Sequence, residues 1–189
     1  RILSYVNNIS QEKQRELSLM EASLKDALTG VLNKGALRVS SERFLENADT
    51  NNNYALFMID IDYFKQVNDS WGHIVGDTAI THVANVIKSH FNETDFIGRF
   101  GGDEFIVLLT TPVTKIDIEK KCEELNQSIR IPFNFNNIVL DLSLSIGVSI
   151  FPSNGKDYKS LCNMADKALY TSKSKGRNTY TIYDSTLKI

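Results

Sequence analysis

The spacing of apolar residues along the chain changes several times, and each change marks an element. From Ile2 to about Leu24, Leu3, Val6, Leu17, Met20 and Leu24 fall on an a/d heptad frame, with Ser10 and Lys13 in the remaining core slots. That pattern predicts a helix with a narrow seam. Asp26-Ala27-Leu28-Thr29-Gly30 breaks it at a glycine, and Asn33 is placed to cap a helix running to about Asn47 with Leu37, Phe44 and Leu45 inward. After a polar loop, Tyr54 to Asp60 is a nearly continuous apolar run of strand length. Such a run reads as a strand buried on both faces, and this one ends in carboxylates. Tyr63 to Val67 reads as a short helical stretch and Asn68 to His73 as a turn-rich patch. Gly76-Asp77 then opens a helix carrying Ala79, Ile80, Val83, Val86 and Ile87.

Farther on, Phe96–Phe100 and Phe105–Thr110 flank Gly101-Gly102-Asp103-Glu104, which predicts a β-hairpin about a two-glycine turn. Residues 116–129 form an amphipathic helix. Two strands follow, Phe133–Phe135 and Ile138–Phe151, the second expected to be half exposed because Asp141 to Ile146 alternates polar and apolar. A last helix from Tyr158 to about Ser174 turns Leu161, Met164, Ala165, Ala168 and Leu169 inward, with Tyr170 assigned to the same core stripe. Gly176 stops it before a strand near Tyr180–Tyr183. The order β-α-α-β-β-α-β-β-α-β predicts an α+β fold, a mostly antiparallel sheet with helices packed on it, of the ferredoxin-like split βαβ type.

Composition narrows the function classes. With 42% hydrophobic and 23% charged residues, the 189-residue chain fits one globular domain plus a short accessory segment. A formal net charge of −2 argues against coating nucleic acid or an anionic membrane, so any basic site must be local. No apolar run reaches the ~20 residues that span a bilayer. Cys122 and Cys162 form no Cys-x-x-Cys pair and read as packing thiols; His73, His82 and His90 lack the i, i+4 spacing of a helical zinc site. The chain opens at Arg1 without Met, which reads as a piece of something longer.

The acids carry the candidate chemistry. Asp60 and Asp62 sit where a buried strand meets solvent, and Asp103-Glu104 sits in a hairpin turn. Neighbouring strand ends bring such groups side by side, and carboxylates ~3–5 Å apart repel unless a cation shares them. Oxygen ligands of this kind suit Mg²⁺ or Mn²⁺. Solvated turn residues are the other reading, and the residues alone leave both open.

Four blocks of sequence resemble the GGDEF family of diguanylate cyclases: Asp60-Ile61-Asp62-Tyr63-Phe64-Lys65, Asn68-Asp69 with Gly72-His73 and Gly76-Asp77, Gly101-Gly102-Asp103-Glu104-Phe105, and Ala168-Leu169-Tyr170 with Lys173 and Gly176-Arg177-Asn178. The opening Asp26-Ala-Leu-Thr-Gly is similar too, so the resemblance spans about residues 25–184. It implies a nucleotidyl-cyclase palm fold and condensation of two GTP into cyclic di-GMP with release of two pyrophosphates. It also implies two Mg²⁺ or Mn²⁺ ions per active site. Carried onto this chain, the metal ligands are Asp60, the carbonyl of Ile61, Asp103 and Glu104, the last as ligand or general base. Asp103, Glu104 and Lys65 are the implied catalytic groups, and Asp62 takes a structural hydrogen-bonding role. Substrate contacts fall to Asn68 and Asp77 as guanine readers, Phe64, Gly101, Gly102, and Lys65, Lys173 and Arg177 at the phosphates; His73 stands between substrate contact and turn packing. An amide and a carboxylate suit guanine, whose edge offers an acceptor at O6 and donors at N1 and N2. The two glycines allow positive φ and let the nucleotide approach the backbone with no Cβ in the way.

The chain also departs from the family. Where many members carry an inhibitory Arg-x-x-Asp, this one has Asn92-Glu93-Thr94-Asp95, a degenerate site that predicts weak or absent product feedback. Lys34 stands where Arg is usual. One domain holds one GTP while the reaction joins two, so a homodimer of half-sites is expected. Residues 1–24 then read as a linker or signalling helix from an upstream sensor, and 25–189 as a cytoplasmic catalytic domain. The rival is a silent GGDEF module that binds GTP or a partner and only regulates.

Overall fold

The computed structural model describes residues 23–186, so all but the end of the predicted amino-terminal seam lies outside the described residues. In chain order the elements are α1 (Lys34–Glu46), β1 (Tyr54–Ile61), α2 (Phe64–Trp71), α3 (His73–His90), β2 (Phe96–Arg99) and β3 (Glu104–Leu108). There follow α4 (Lys115–Ile129), β4 (Phe133–Phe135), β5 (Ile138–Leu140), β6 (Leu144–Phe151), α5 (Tyr158–Ser174) and β7 (Thr179–Ile182). Five strands form one sheet in the order β2-β3-β1-β6-β7, antiparallel except for the β6–β7 pair, while β4 and β5 make a separate hairpin. This is the α+β architecture expected.

The continuous apolar run of β1 is explained by cover on both faces. Ala55, Phe57, Ile59 and Ile61 face a core completed by α3 and α4, whereas Tyr54, Leu56 and Met58 face a second core completed by α1 and α5. A period of two sends alternate side chains to opposite faces, so Asp60 belongs to the α5 side. Local signals act as anticipated at α1, where the Asn33 side chain accepts the Ala36 N–H at 3.0 Å. Thr114 and Asp117 close a reciprocal capping box at the start of α4.

Three expectations are corrected. The run from Ile138 to Phe151 is two strands, broken at 141–143, and β6 is buried rather than half exposed. Its polar positions are small residues under α5: Ser149 Oγ donates to the Leu161 carbonyl at 2.8 Å, and Ser145 Oγ donates to Asp62 at 2.6 Å. Alternation here marks close helix packing, since a hydroxyl with a partner costs little to bury. The patch from Asn68 to Trp71 is helical and completes α2, and α3 starts at His73, so Asp77 lies inside its second turn and caps nothing. Tyr170 is 61% exposed and does not join the core stripe of α5.

Both cysteines are free thiols, Cys122 buried in α4 and Cys162 half-buried in α5. Burial drives the Cys122 thiol far above its ordinary range and the Cys162 thiol to about 11, so neither is a thiolate at neutral pH. Among the described residues no helix is long and apolar enough to cross a membrane.

Candidate active site

Sheet register gathers the acids. Asp60, the penultimate residue of β1, lies opposite Glu104 at the start of β3 and opposite Ser145 of β6. Asp103 is tied on by its carbonyl, which accepts the Ile61 N–H at 3.3 Å. Asp60 is 7% exposed and pairs with Lys173 Nζ at 2.7 Å. Burial pushes its carboxyl above the usual range; Asp103 and Glu104 add to that, and together they outweigh the opposing pull of Lys173.

The hairpin turn owes its shape to room rather than to left-handed backbone. Neither Gly101 nor Gly102 uses the positive φ open to it. A Cβ at Gly101 would lie 2.5 Å from Glu104 Oε2, so that glycine lets the Glu104 carboxylate fold back across the turn. Beyond Gly102 there is open space, nothing lying within 4 Å of a Cβ built there. The N–H groups of Phe100 and Gly101 both donate to the Glu104 carbonyl. Arg99, which the sequence reading passed over, fastens the turn. Its Nε and Nη2 donate to the Gly102 carbonyl at 3.1 and 2.7 Å, and its Nη1 reaches both Asp26 oxygens at 3.3 Å. Burial works against the charge on Asp26, yet Thr29 and then Arg99 hold its carboxyl below the usual range. An arginine set two residues before paired glycines and acids was the available signal.

Asp62 continues the ladder one residue past β1, its N–H donating to the Ser143 carbonyl at 2.9 Å. Its carboxylate meets Ser145, the residue opposite Asp60, so the two acids share a face before Tyr63 at φ 56° ends the extended backbone. Asp62 is 5% exposed and accepts from Ser143 Oγ at 2.7 Å, Ser145 Oγ at 2.6 Å and the Asn178 N–H at 2.9 Å. Those three donors compensate a buried charge. Arg130 in turn donates to the side chain of Asn178 at 3.0 Å, which anchors the loop after α5.

The remaining candidates surround this strand end. Phe64 packs against the first core, and Lys65 is exposed in the first turn of α2 with no acidic partner among the described residues. Tyr63 gives α2 no side-chain cap; the Gln66 N–H turns back to the Tyr63 carbonyl at 2.8 Å, which leaves the Phe64 and Lys65 N–H groups without an acceptor among the described residues. Asn68 Oδ1 is buried without a partner and packs so closely on Gly76 that any Cβ at 76 would overlap it. Asp77 is exposed and, with Leu28, Ile74, Thr78 and Thr81, lines a shallow cavity of about 320 Å³. His73 is exposed at the head of α3. Arg177 lies past the end of α5 with φ 66°, so it forms no helical i, i+4 pair with Lys173; its Cζ sits 4.6 Å over the Tyr63 ring.

Asp60, Asp103 and Glu104 are hard oxygen donors whose mutual repulsion a divalent cation relieves, and in that chemistry the set fits one. In the arrangement seen, Lys173 supplies the positive charge, and among the described residues no three His, Cys, Asp or Glu stand at metal-binding spacing. At the degenerate inhibitory motif both Asp95 oxygens are engaged internally, one by the Asn92 N–H and the other by the Thr110 N–H, each at 2.9 Å.

Comparison with known proteins places this geometry. A family described as diguanylate cyclase, GGDEF domain, matches residues 23–179. A probable diguanylate cyclase, DgcC of Escherichia coli K12, is 36% identical over 170 residues, covering 88% of this chain and 44% of that protein. A cyclic di-GMP phosphodiesterase, PdeR of the same organism, is 30% identical over 176 residues, 93% of this chain but 26% of its own length. The coiled coil and GGDEF domain of DgcB from Caulobacter crescentus, solved in complex with c-di-GMP, superposes with a TM-score of 0.86 at 26% identity, covering 96% of this chain and 97% of that one. The chain therefore spans about a quarter to under half the length of these curated relatives.

Proposed function

We propose that this chain, which belongs to the GGDEF family of diguanylate cyclase domains, joins two GTP molecules into cyclic di-GMP and releases two pyrophosphates. The observation that carries the reading is the convergence of Asp60, Asp103 and Glu104 at one sheet end beside Lys173. Asp60, the Ile61 carbonyl, Asp103 and Glu104 would hold Mg²⁺ or Mn²⁺, two per site. Bound there, the ions polarise the α-phosphate and lower the pKa of the attacking 3′-hydroxyl. Glu104, folded over Gly101, serves as a further ligand or accepts the hydroxyl proton. Lys65, Lys173, Arg177 and the uncapped start of α2 bind the triphosphate, whose charge leaves with pyrophosphate.

Guanine falls to Asn68 and Asp77. With Asn68 Oδ1 turned inward, its amide N–H₂ is left to donate to an acceptor on the base, while Asp77 accepts from guanine N1–H and N2–H₂. Adenine lacks those donors and would leave Asp77 unpaired. Catalysis needs two chains, each presenting one GTP to the other, and the nucleotide substrate implies a cytoplasmic setting. The segment before residue 25 then links the domain to a sensor in a longer protein.

Incubating the chain with Mg²⁺ and either GTP or ATP, and resolving the products by chromatography, tests the reading. Cyclic di-GMP is expected from GTP alone, at a rate per chain that rises with protein concentration as dimers form. If no cyclic dinucleotide appears at high concentration, only a silent binding module is left. The same assay checks feedback: because Asn92 replaces Arg and Asp95 is internally engaged, low-micromolar cyclic di-GMP is expected to leave the rate unchanged. Clear inhibition in that range would show that this site, or another, still senses product.

A further inference from the structure

We infer that Tyr63 is a positioning residue whose ring holds the Arg177 guanidinium in place, so that a triphosphate meets a cation already oriented. The inference rests on the reading of Arg177 as a phosphate contact. Arg177 Cζ stands 4.6 Å from the centre of the Tyr63 ring, and Tyr63 is 53% exposed, so the ring is a surface shelf rather than core packing. Tyr63 occupies left-handed backbone at φ 56°, a conformation disfavoured for a side chain of its size, and its side chain caps no helix.

The loop after α5 approaches from the other side. Gly176, Arg177 and Asn178 have φ of 105°, 66° and 49°, a left-handed run fastened where the Asn178 N–H donates to Asp62. Adjacent residues of one turn therefore hold this loop twice, Asp62 by its backbone and Tyr63 by its guanidinium. Arg177 has no carboxylate partner among the described residues. An unpartnered arginine loses much rotamer freedom on binding an anion. Stacking removes that freedom beforehand and uses only the face of the guanidinium, leaving its in-plane N–H groups for bidentate phosphate contact.

Calorimetric binding of 3′-deoxy-GTP with Mg²⁺, which permits binding without condensation, tests this in the full chain, with GMP as the ligand lacking the outer phosphates. Tyr63→Leu is expected to weaken 3′-deoxy-GTP about three- to tenfold while leaving GMP unchanged, and Tyr63→Phe to bind as the parent does. In an Arg177→Ala background, Tyr63→Leu should cost nothing further. Parent-like affinity in Tyr63→Leu, an undiminished loss in the Arg177→Ala background, or an equal loss for GMP would each overturn the inference while leaving the phosphate role of Arg177 standing. If Arg177→Ala itself binds as tightly as the parent, the phosphate reading fails and this inference falls with it.

Discussion

Asp60→Asn is expected to cut cyclic di-GMP formation by roughly 10²–10³-fold or more while leaving the fold nearly as stable as before. The two halves of this result have opposite electrostatic origins. For catalysis, the substitution removes the most buried anionic ligand of the proposed cation site. For stability, it removes a charge that burial, Asp103 and Glu104 all oppose, and it isolates a Lys173 side chain that is one-third exposed and keeps access to water. These effects offset, and a change within about 1 kcal/mol is expected for a partly solvated pair.

Acidity separates the terms further. A carboxyl with a folded pKa above its unfolded value of 3.8 contributes stability below that value and loses it as pH rises through the folded pKa. In chelator, the parent should therefore lose this contribution as pH climbs from about 4, and Asp60→Asn should not. Thermal melting across that range, beside the GTP assay at neutral pH, checks both halves. Retained cyclase activity, or a collapse of several kcal/mol at neutral pH, would refute this account of Asp60.

Gly147→Ala is the counterpart, a substitution that changes no charge yet should damage fold and site together. Gly147 lies on β6 between Ser145 and Ser149, and an added Cβ would run into the Ala165 carbonyl oxygen and the Leu169 backbone nitrogen of α5. Main-chain atoms cannot rotate aside, so the helix must move, at a cost of about 3 kcal/mol or more. Melting should fall by about 6–12 °C. Because α5 carries Lys173 to within 2.7 Å of Asp60, GTP turnover should drop in the protein that remains folded. Ser149→Ala, which only removes the hydroxyl bonded to the Leu161 carbonyl, should cost about 1 kcal/mol and serves as the control. A Gly147→Ala protein melting within 2 °C of the parent would show that the helix can yield at that crossing.

The architecture was legible because β1 announces two covered faces and the paired glycines announce a hairpin. The acids could be placed together because Asp60 and Glu104 sit at strand ends and Asp103 in the turn beside them. Helix boundaries around Asn68 to Asp77 were misread because Asp69, Ser70, His73 and Asp77 are polar residues on the exposed side of α2 and α3, where local preference yields to packing. The serines of β6 misled for the converse reason, being buried under α5 with their hydroxyls satisfied. Arg99 and Tyr63 escaped notice because their roles depend on partners distant in sequence: Arg99 meets Asp26, and Tyr63 meets Arg177. No window on the chain contains both members of either pair.

The Asp26–Arg99–Gly102 linkage makes the entrance of the domain and the acidic turn one mechanical piece. Leu32 reinforces it, donating its N–H to Ile97 and accepting from Arg99 on the free edge of β2. A displacement of the chain at residue 26 must either break charge-assisted bonds or drag Gly102, and with it the neighbouring Asp103. The path from the first described residues to the acids is thus a short rod, with no loop of slack between them to absorb a pull.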